Sequence, residues 1–138
     1  MRVVYSYYVL DLVHSGHLFA MRNAKALAGE GGVSIVGILT DKAVAEKKET
    51  PVLSFDERML LAQAIKYNDV VVAQETYSPL VNIQDIKPDV VMESTSHSEE
   101  LIEEVRRCVD SMDGRVVVLP YYPSQSSTEI KNRINGGQ

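Results

Sequence analysis

Cysteine is nearly missing from this chain, and Cys108 is the only one. An intrachain disulfide and a thiolate metal cluster are therefore excluded. Cys108 lies beside Val105, Val109 and Met112, which marks it as part of a packed helix face. Long apolar runs are missing too. No stretch approaches the roughly 20 residues that a bilayer span requires, and the segment ahead of the first charge-rich helix lacks the architecture of a signal peptide, so a cytoplasmic location is expected. There is no extended basic stretch, and the formal charge is −5. That balance argues against a general nucleic-acid surface, yet it leaves room for a few donors converging on a triphosphate. The pattern Gly-x-x-x-x-Gly-Lys-Ser/Thr does not occur, which removes a glycine-rich triphosphate loop from consideration. Internal duplication and low-complexity sequence are absent as well, and only the final Gly-Gly-Gln reads as frayed.

What is present reads as one domain over residues 1–138, with 45% hydrophobic and 24% charged residues, the composition of a globular protein. Strand and helix signals alternate along it. Val3 to Val9 is β-branched and aromatic and predicts a strand. From Leu18 to Leu27 the apolar residues fall near helical spacing, and Gly29, Gly31 and Gly32 end that helix. Val33 to Leu39 predicts a second strand, followed by a helix or turn entry at Thr40-Asp41 and a short charged helix plus loop to Thr50. Ser54 and Glu57 have the spacing of a capping box, and Leu60, Leu61, Ala64 and Ile65 are expected to continue the buried face of the helix they open. Asp69 to Ala73 is a third strand, Pro79 to Ile86 a short helix, and Asp89 to Met92 a fourth strand. Ser98 caps a helix running to about Met112. Val116 to Leu119 is a fifth strand, and a last helix starts near Ser126 or Ser127 and includes Ile130 and Ile134. Continuous apolar strands alternating with helices predict an α/β class fold, a small doubly wound parallel sheet with helices on both faces.

In such a fold ligands bind beyond the C-terminal ends of the strands. Asp11, His14 and His17 follow the first strand there, and Tyr121 to Thr128 follow the last. In His14-Ser15-Gly16-His17, Gly16 permits close backbone approach and His17 sits in an opening helical turn, where free amides and the helix dipole favour phosphate. Imidazole donors there can meet oxygens of a nucleoside triphosphate. The same residues, Asp11 with the two histidines, also admit a metal site, with hydrolysis as the chemistry. Lys42, Lys47 and Lys48 follow the second strand and are either a solvated surface or a cover for a triphosphate. Arg58 is read either as a salt-bridge partner on its helix or as a phosphate contact. Ser124, Ser126, Ser127 and Thr128 offer hydroxyls at a β-to-α junction, and Tyr121 and Tyr122 either pack the rim or contact a base or acceptor.

Taken in order, His14-Ser15-Gly16-His17, then Leu39-Thr40-Asp41 with Lys47-Lys48, Pro51 and Phe55-Asp56-Glu57-Arg58, then Ser126-Ser127-Thr128-Glu129-Ile130, resemble the cytidylyltransferase-like family of the HxGH nucleotidyltransferase superfamily, whose fold is Rossmann-like. Within it the chain resembles glycerol-3-phosphate and phosphonate cytidylyltransferases. The resemblance implies CTP and Mg²⁺, with an acceptor phosphate or phosphonate oxygen attacking the α-phosphorus and pyrophosphate leaving. It implies catalytic roles for His14, His17, Lys47 and Arg58, and a nucleotide held by Val9, Leu10, Asp11, His14, Gly16, His17, Lys48, Tyr121, Ser126, Ser127 and Thr128, without a protein metal ligand. It also implies a homodimer, with neither nucleic acid nor membrane as partner. Three segments depart from the family pattern. Tyr8-Val9-Leu10-Asp11 replaces the common Gly-Thr-Phe-Asp, Tyr121 stands at a frequent arginine, and Glu93-Ser94-Thr95-Ser96-His97 replaces a glycine followed by acidic and aromatic residues. A CTP-dependent cytidylyltransferase for a small phosphorylated alcohol or phosphonate is the leading expectation. The alternatives are an ATP-dependent adenylyltransferase and a nonenzymatic nucleotide-binding regulator.

Overall fold

β-Branched residues fill the middle of the molecule, and a computed structural model shows what they build. It describes residues 1–120 and 127–136, and only the backbone of residues 127–129. Five strands, β1 (Val3–Tyr8), β2 (Val33–Leu39), β3 (Val70–Gln74), β4 (Val90–Ser94) and β5 (Arg115–Leu119), pair in the order β3-β2-β1-β4-β5. Every pairing is parallel. The connections carry α1 (Ser15–Ala28), α2 (Asp41–Ala45), α3 (Phe55–Ala64), α4 (Leu80–Ile86) and α5 (Glu99–Asp110), and α6 (Ser127–Gly136) follows β5. The chain order reverses between β1 and β4, which is where a doubly wound sheet opens a crevice for a ligand.

Both faces of the sheet are covered, because alternate residues of each strand point to opposite sides. Tyr5, Tyr7 and Val91 pack against Val44 of α2, Ile83 of α4, and Val105 and Val109 of α5. On the other face Val4, Val90 and Met92 meet Ala24 and Ala28 of α1, while Val36 and Ile38 meet Met21 of α1 and Ala62 of α3. Cys108 packs at the edge of the first of these clusters. At the N-terminal edge two aspartates satisfy strand amides that have no ladder partner. Asp89 accepts from the Val3 amide and Asp69 from the Ser34 amide, each at 2.8 Å. Among the described residues, no helix is long and apolar enough to cross a membrane.

Side-chain caps start several helices where the sequence places them. Thr40 accepts from the Ala43 amide, Ser54 from the Glu57 amide and Ser98 from the Leu101 amide. Three details differ from expectation. Helix α1 begins at Ser15 rather than near Leu18, because His14 itself caps it. Strand β4 runs on to Ser94, two residues past Met92, and so carries Glu93 to the rim. The inner face of α3 is built on Arg58 and Ala62, with Phe55, Met59 and Ile65 beside them. Leu60 is 67% exposed, Leu61 39%, and Ala64 lies outside as well. A buried guanidinium turns that helix away from its apolar stripe.

Gly37 in β2 makes room for a polar cluster inside the sheet. The Tyr5 hydroxyl donates to Gln74 Oε1 at 2.6 Å and accepts from Asn82 Nδ2 at 2.9 Å, and burial pushes its pKa up. A Cβ on Gly37 would come within 1.9 Å of that hydroxyl oxygen. Gly37→Ala is therefore expected to cost about 1–3 kcal/mol, the range for overpacking a filled interior. Denaturant unfolding of the two proteins would measure it.

Candidate active site

The site grows from the turn that leaves β1. Leu10 adopts the left-handed conformation, φ 58°, which costs a residue with a Cβ roughly 1–2 kcal/mol. Its side chain is 1% exposed and packs in the cluster between α1 and α3, a burial of about the same size that offsets the strain. This turn aims Asp11 away from solvent, where it accepts from the Val52 and Leu53 amides at 3.0 and 2.9 Å and pairs with Lys131 of α6. Burial raises its pKa, but those two amides and the lysine outweigh burial and hold it below the usual value.

His14 and His17 form a capping box of their own. The Gly16 amide donates to His14 Nδ1 at 3.0 Å, and the His14 amide donates to His17 Nδ1 at 3.2 Å. A nitrogen that accepts cannot carry a proton, so both neutral rings hold theirs on Nε2. The ring centroids are 4.0 Å apart, and both residues line a cleft of about 1120 Å³ at the C-terminal edge of the sheet. Burial, and then the neighbouring His14, lower the pKa of His17 to about 4. At neutral pH His17 is therefore a fixed, uncharged donor at a helix N-terminus, suited to phosphate oxygens.

Arg58 and Lys47 do not line the cleft. Arg58 is fully buried beneath it. Nη1 donates to the Val9 and Leu39 carbonyls at 2.8 and 2.7 Å, Nε to the Leu53 carbonyl at 3.3 Å, and Nη2 to Asp41 at 2.8 Å. Those partners are the tips of β1 and β2 and the approaches to α2 and α3, so Arg58 holds the frame of the site. Lys48 lines the cleft, as do Val9, Leu10, Asp11 and Gly16. Tyr121 and Ser126 lie outside the described residues. Ser127 and Thr128 open α6, and their side chains lie outside the description.

The opposite wall comes from the segment that departs from the family pattern. Glu93, 1% exposed, accepts from the Tyr7 hydroxyl at 2.6 Å and from His97 Nδ1 at 2.5 Å. The Tyr7 and His97 rings stack with centroids 5.1 Å apart. Burial, and then the charge of Glu93, push the Tyr7 pKa far up and keep its hydroxyl a donor. Burial and Glu93 likewise raise the pKa of Tyr77, whose ring lines the same wall. Nothing in the sequence spacing singles out this cluster. The signal available was Glu93 in place of a family glycine, which is a buried charge where the strand would otherwise end bare.

Comparison with known proteins agrees with this geometry. Residues 9–133 match the family model described as cytidylyltransferase-like. The bifunctional protein HldE of Gluconobacter oxydans is 30% identical over 131 residues, which is 94% of this chain and 26% of that protein. Its counterpart from Magnetococcus marinus is 29% identical over 139 residues, 97% of this chain and 27% of its own length. The chain thus spans about a quarter of the length of these curated relatives. Among solved structures, the lipopolysaccharide core biosynthesis protein from Thermoplasma volcanium shares the fold. Its TM-score is 0.74 at 18% identity, covering 91% of this chain and 99% of that one.

These findings correct the expectation of a CTP-dependent enzyme for glycerol 3-phosphate or a phosphonate. The relatives are HldE-type proteins, which favour the ATP-dependent alternative. The physical reason is that imidazole donors and helix amides suit phosphate oxygens, which ATP and CTP share. The motif reports the reaction and leaves the base unread.

Two measurements check the geometry. Imidazole ¹⁵N spectra across a pH titration should show His17 neutral, with its proton on Nε2, down to about pH 4. The unfolded chain binds that proton near pH 6.5, so the contribution of His17 to stability is complete above 6.5 and declines as the pH falls toward 4. Arg58→Ala removes the Arg58 donors from three carbonyls and Asp41 and is expected to lower unfolding free energy by about 3–5 kcal/mol. A loss below 1 kcal/mol in denaturant titrations would remove Arg58 from the frame.

Proposed function

The chain belongs to the cytidylyltransferase-like family, and on that premise we propose that it transfers an adenylyl group from ATP to a sugar phosphate, an activity of the ADP-heptose type. The observation that carries this reading is the pair of histidines that cap α1 through Nδ1 and line the cleft. An oxygen of the acceptor phosphate forms a bond to the α-phosphorus, the bond from that phosphorus to the bridging oxygen breaks, and pyrophosphate leaves. Such a phosphate is already ionised near neutral pH, so catalysis requires alignment and charge stabilisation rather than a general base. His14 and His17 supply donors to the phosphate oxygens as charge shifts, and the Gly16 backbone lets the triphosphate approach. Lys48 adds a positive charge on the cleft wall.

Family membership implies a divalent cation. Among the described residues no group of three His, Cys, Asp or Glu side chains would hold one, and the Asp11 carboxylate is occupied by two amides and Lys131. Triphosphate oxygens and water would then be the main ligands of Mg²⁺, as that ion ordinarily prefers.

A matrix of ATP and CTP against sugar 1-phosphates, glycerol 3-phosphate and 2-aminoethylphosphonate, read by pyrophosphate release and product mass, tests the reading. An ADP-sugar formed from ATP is the expected product. A CDP-linked product, or no product from any pair, would contradict it. His17→Ala should lower kcat by roughly 10²–10³, the loss typical of one preorganised donor, while unfolding free energy falls by only about 1 kcal/mol, the size of one lost cap contact.

A further inference from the structure

The wall formed by β4 and the turn into α5 has no part in the phosphate chemistry above, yet it is built with care. His97 is held at both ends. Its amide donates to the Ser94 carbonyl at 3.0 Å, and Nδ1 is taken by Glu93 at 2.5 Å. The turn itself is stitched to the end of β5 by the Thr95 amide donating to the Leu119 carbonyl at 3.1 Å. Tyr7 stacks under the ring and donates to the second oxygen of Glu93. With Nδ1 committed, Nε2 is the ring atom left to a ligand. Among the described residues neither His97 Nε2 nor the Tyr77 hydroxyl makes a hydrogen bond, and both residues line the cleft.

The chemistry of this wall selects a ligand class. Glu93 has both oxygens occupied and is buried, and Asp11 is likewise spent, so neither buried carboxylate of the cleft is left to pair with an ammonium group. A hydroxyl serves either protonation state of His97 Nε2, as donor to its lone pair or as acceptor of its proton, and it can also pair with a phenol. An ammonium or a phosphate serves only one of those states. We infer that His97 and Tyr77 form an acceptor subsite that reads sugar hydroxyls, with Glu93 and Tyr7 as the positioning residues that orient the imidazole. The inference rests on the adenylyl-transfer reading and its sugar-phosphate acceptor, and it adds the groups that choose that acceptor.

Calorimetric titration of the intact protein, held with the non-hydrolysable α,β-methylene analogue of ATP, separates the two ideas. The probes are heptose 1-phosphate and mannose 1-phosphate, with 2-aminoethylphosphonate as the amine-bearing control. His97→Asn retains a group near Nδ1 but none near Nε2, whereas His97→Gln retains one near Nε2. His97→Asn and Tyr77→Phe should each weaken sugar-phosphate binding about tenfold, the size of one lost hydrogen bond. His97→Gln should bind within about threefold of the parent, and affinity for the ATP analogue should be unchanged in all three variants. In the parent, sugar phosphate should also shift the His97 Nε2 resonance in ¹⁵N spectra, a readout that does not depend on any variant folding. The subsite is overturned if neither sugar phosphate binds, if His97→Asn binds them as the parent does, if the amine binds more tightly than the sugars, or if analogue affinity falls in step. Binding as expected without turnover would instead sink adenylyl transfer and leave the subsite standing.

Discussion

One buried guanidinium holds the cleft edge of this molecule together. Arg58 spans the tips of β1 and β2, the entry to α2 and the residue before the cap of α3, through four hydrogen bonds. A charge so far from water is costly unless it is paired and its donors are used, and here Asp41 and three carbonyls meet that requirement. The same contacts give the Val9 and Leu39 carbonyls, at the ends of β1 and β2, and the Leu53 carbonyl a donor. The turn that carries Leu10, Asp11 and His14 therefore has a fixed origin, and left-handed Leu10 is tolerated because the residues on either side of it are tied down.

From that origin the cleft divides into two walls of different chemistry. The α1 side presents helix amides, the two capping imidazoles and Lys48, groups suited to negatively charged oxygens. The β4 side presents Tyr7 and His97, stacked with centroids 5.1 Å apart, beside Glu93, whose two oxygens are both hydrogen-bonded, and Tyr5 stacks behind Tyr7 at 6.2 Å. The division follows strand alternation, since Tyr5, Tyr7, Val91 and Glu93 point to the face covered by α2, α4 and α5, while α1 covers the other. On the proposed function, the triphosphate belongs to the α1 side of the crevice between β1 and β4 and the acceptor to the β4 side.

Much of this was legible in residue order alone. Strands of Val, Ile and Tyr, and caps at Thr40, Ser54 and Ser98, are local signals, and the parallel doubly wound sheet follows from their alternation. The placement of His14 and His17 at a strand-to-helix turn was legible for the same reason. The inner face of α3 was not, because periodicity counted Leu60 and Leu61 as core, whereas a long-range bond network draws Arg58 inward. The cluster of Tyr7, Glu93 and His97 was also hidden. Glu93 lies 86 residues from Tyr7, and a buried charge is recognisable only once its partners have been brought together. Nucleotide choice was misread for a simpler reason, since the residues that stood out have chemistry suited to phosphate, the part that ATP and CTP have in common.

The central claim is that two histidines, each tied through Nδ1 to a backbone amide, present Nε2 to the reacting phosphates. A crystal structure with the α,β-methylene analogue of ATP tests it most directly. The account requires phosphate oxygens within hydrogen-bond distance of both Nε2 atoms, with the Nδ1 contacts to the Gly16 and His14 amides intact. A triphosphate lying away from the N-terminus of α1, or rings released from those amides to reach it, would contradict the account.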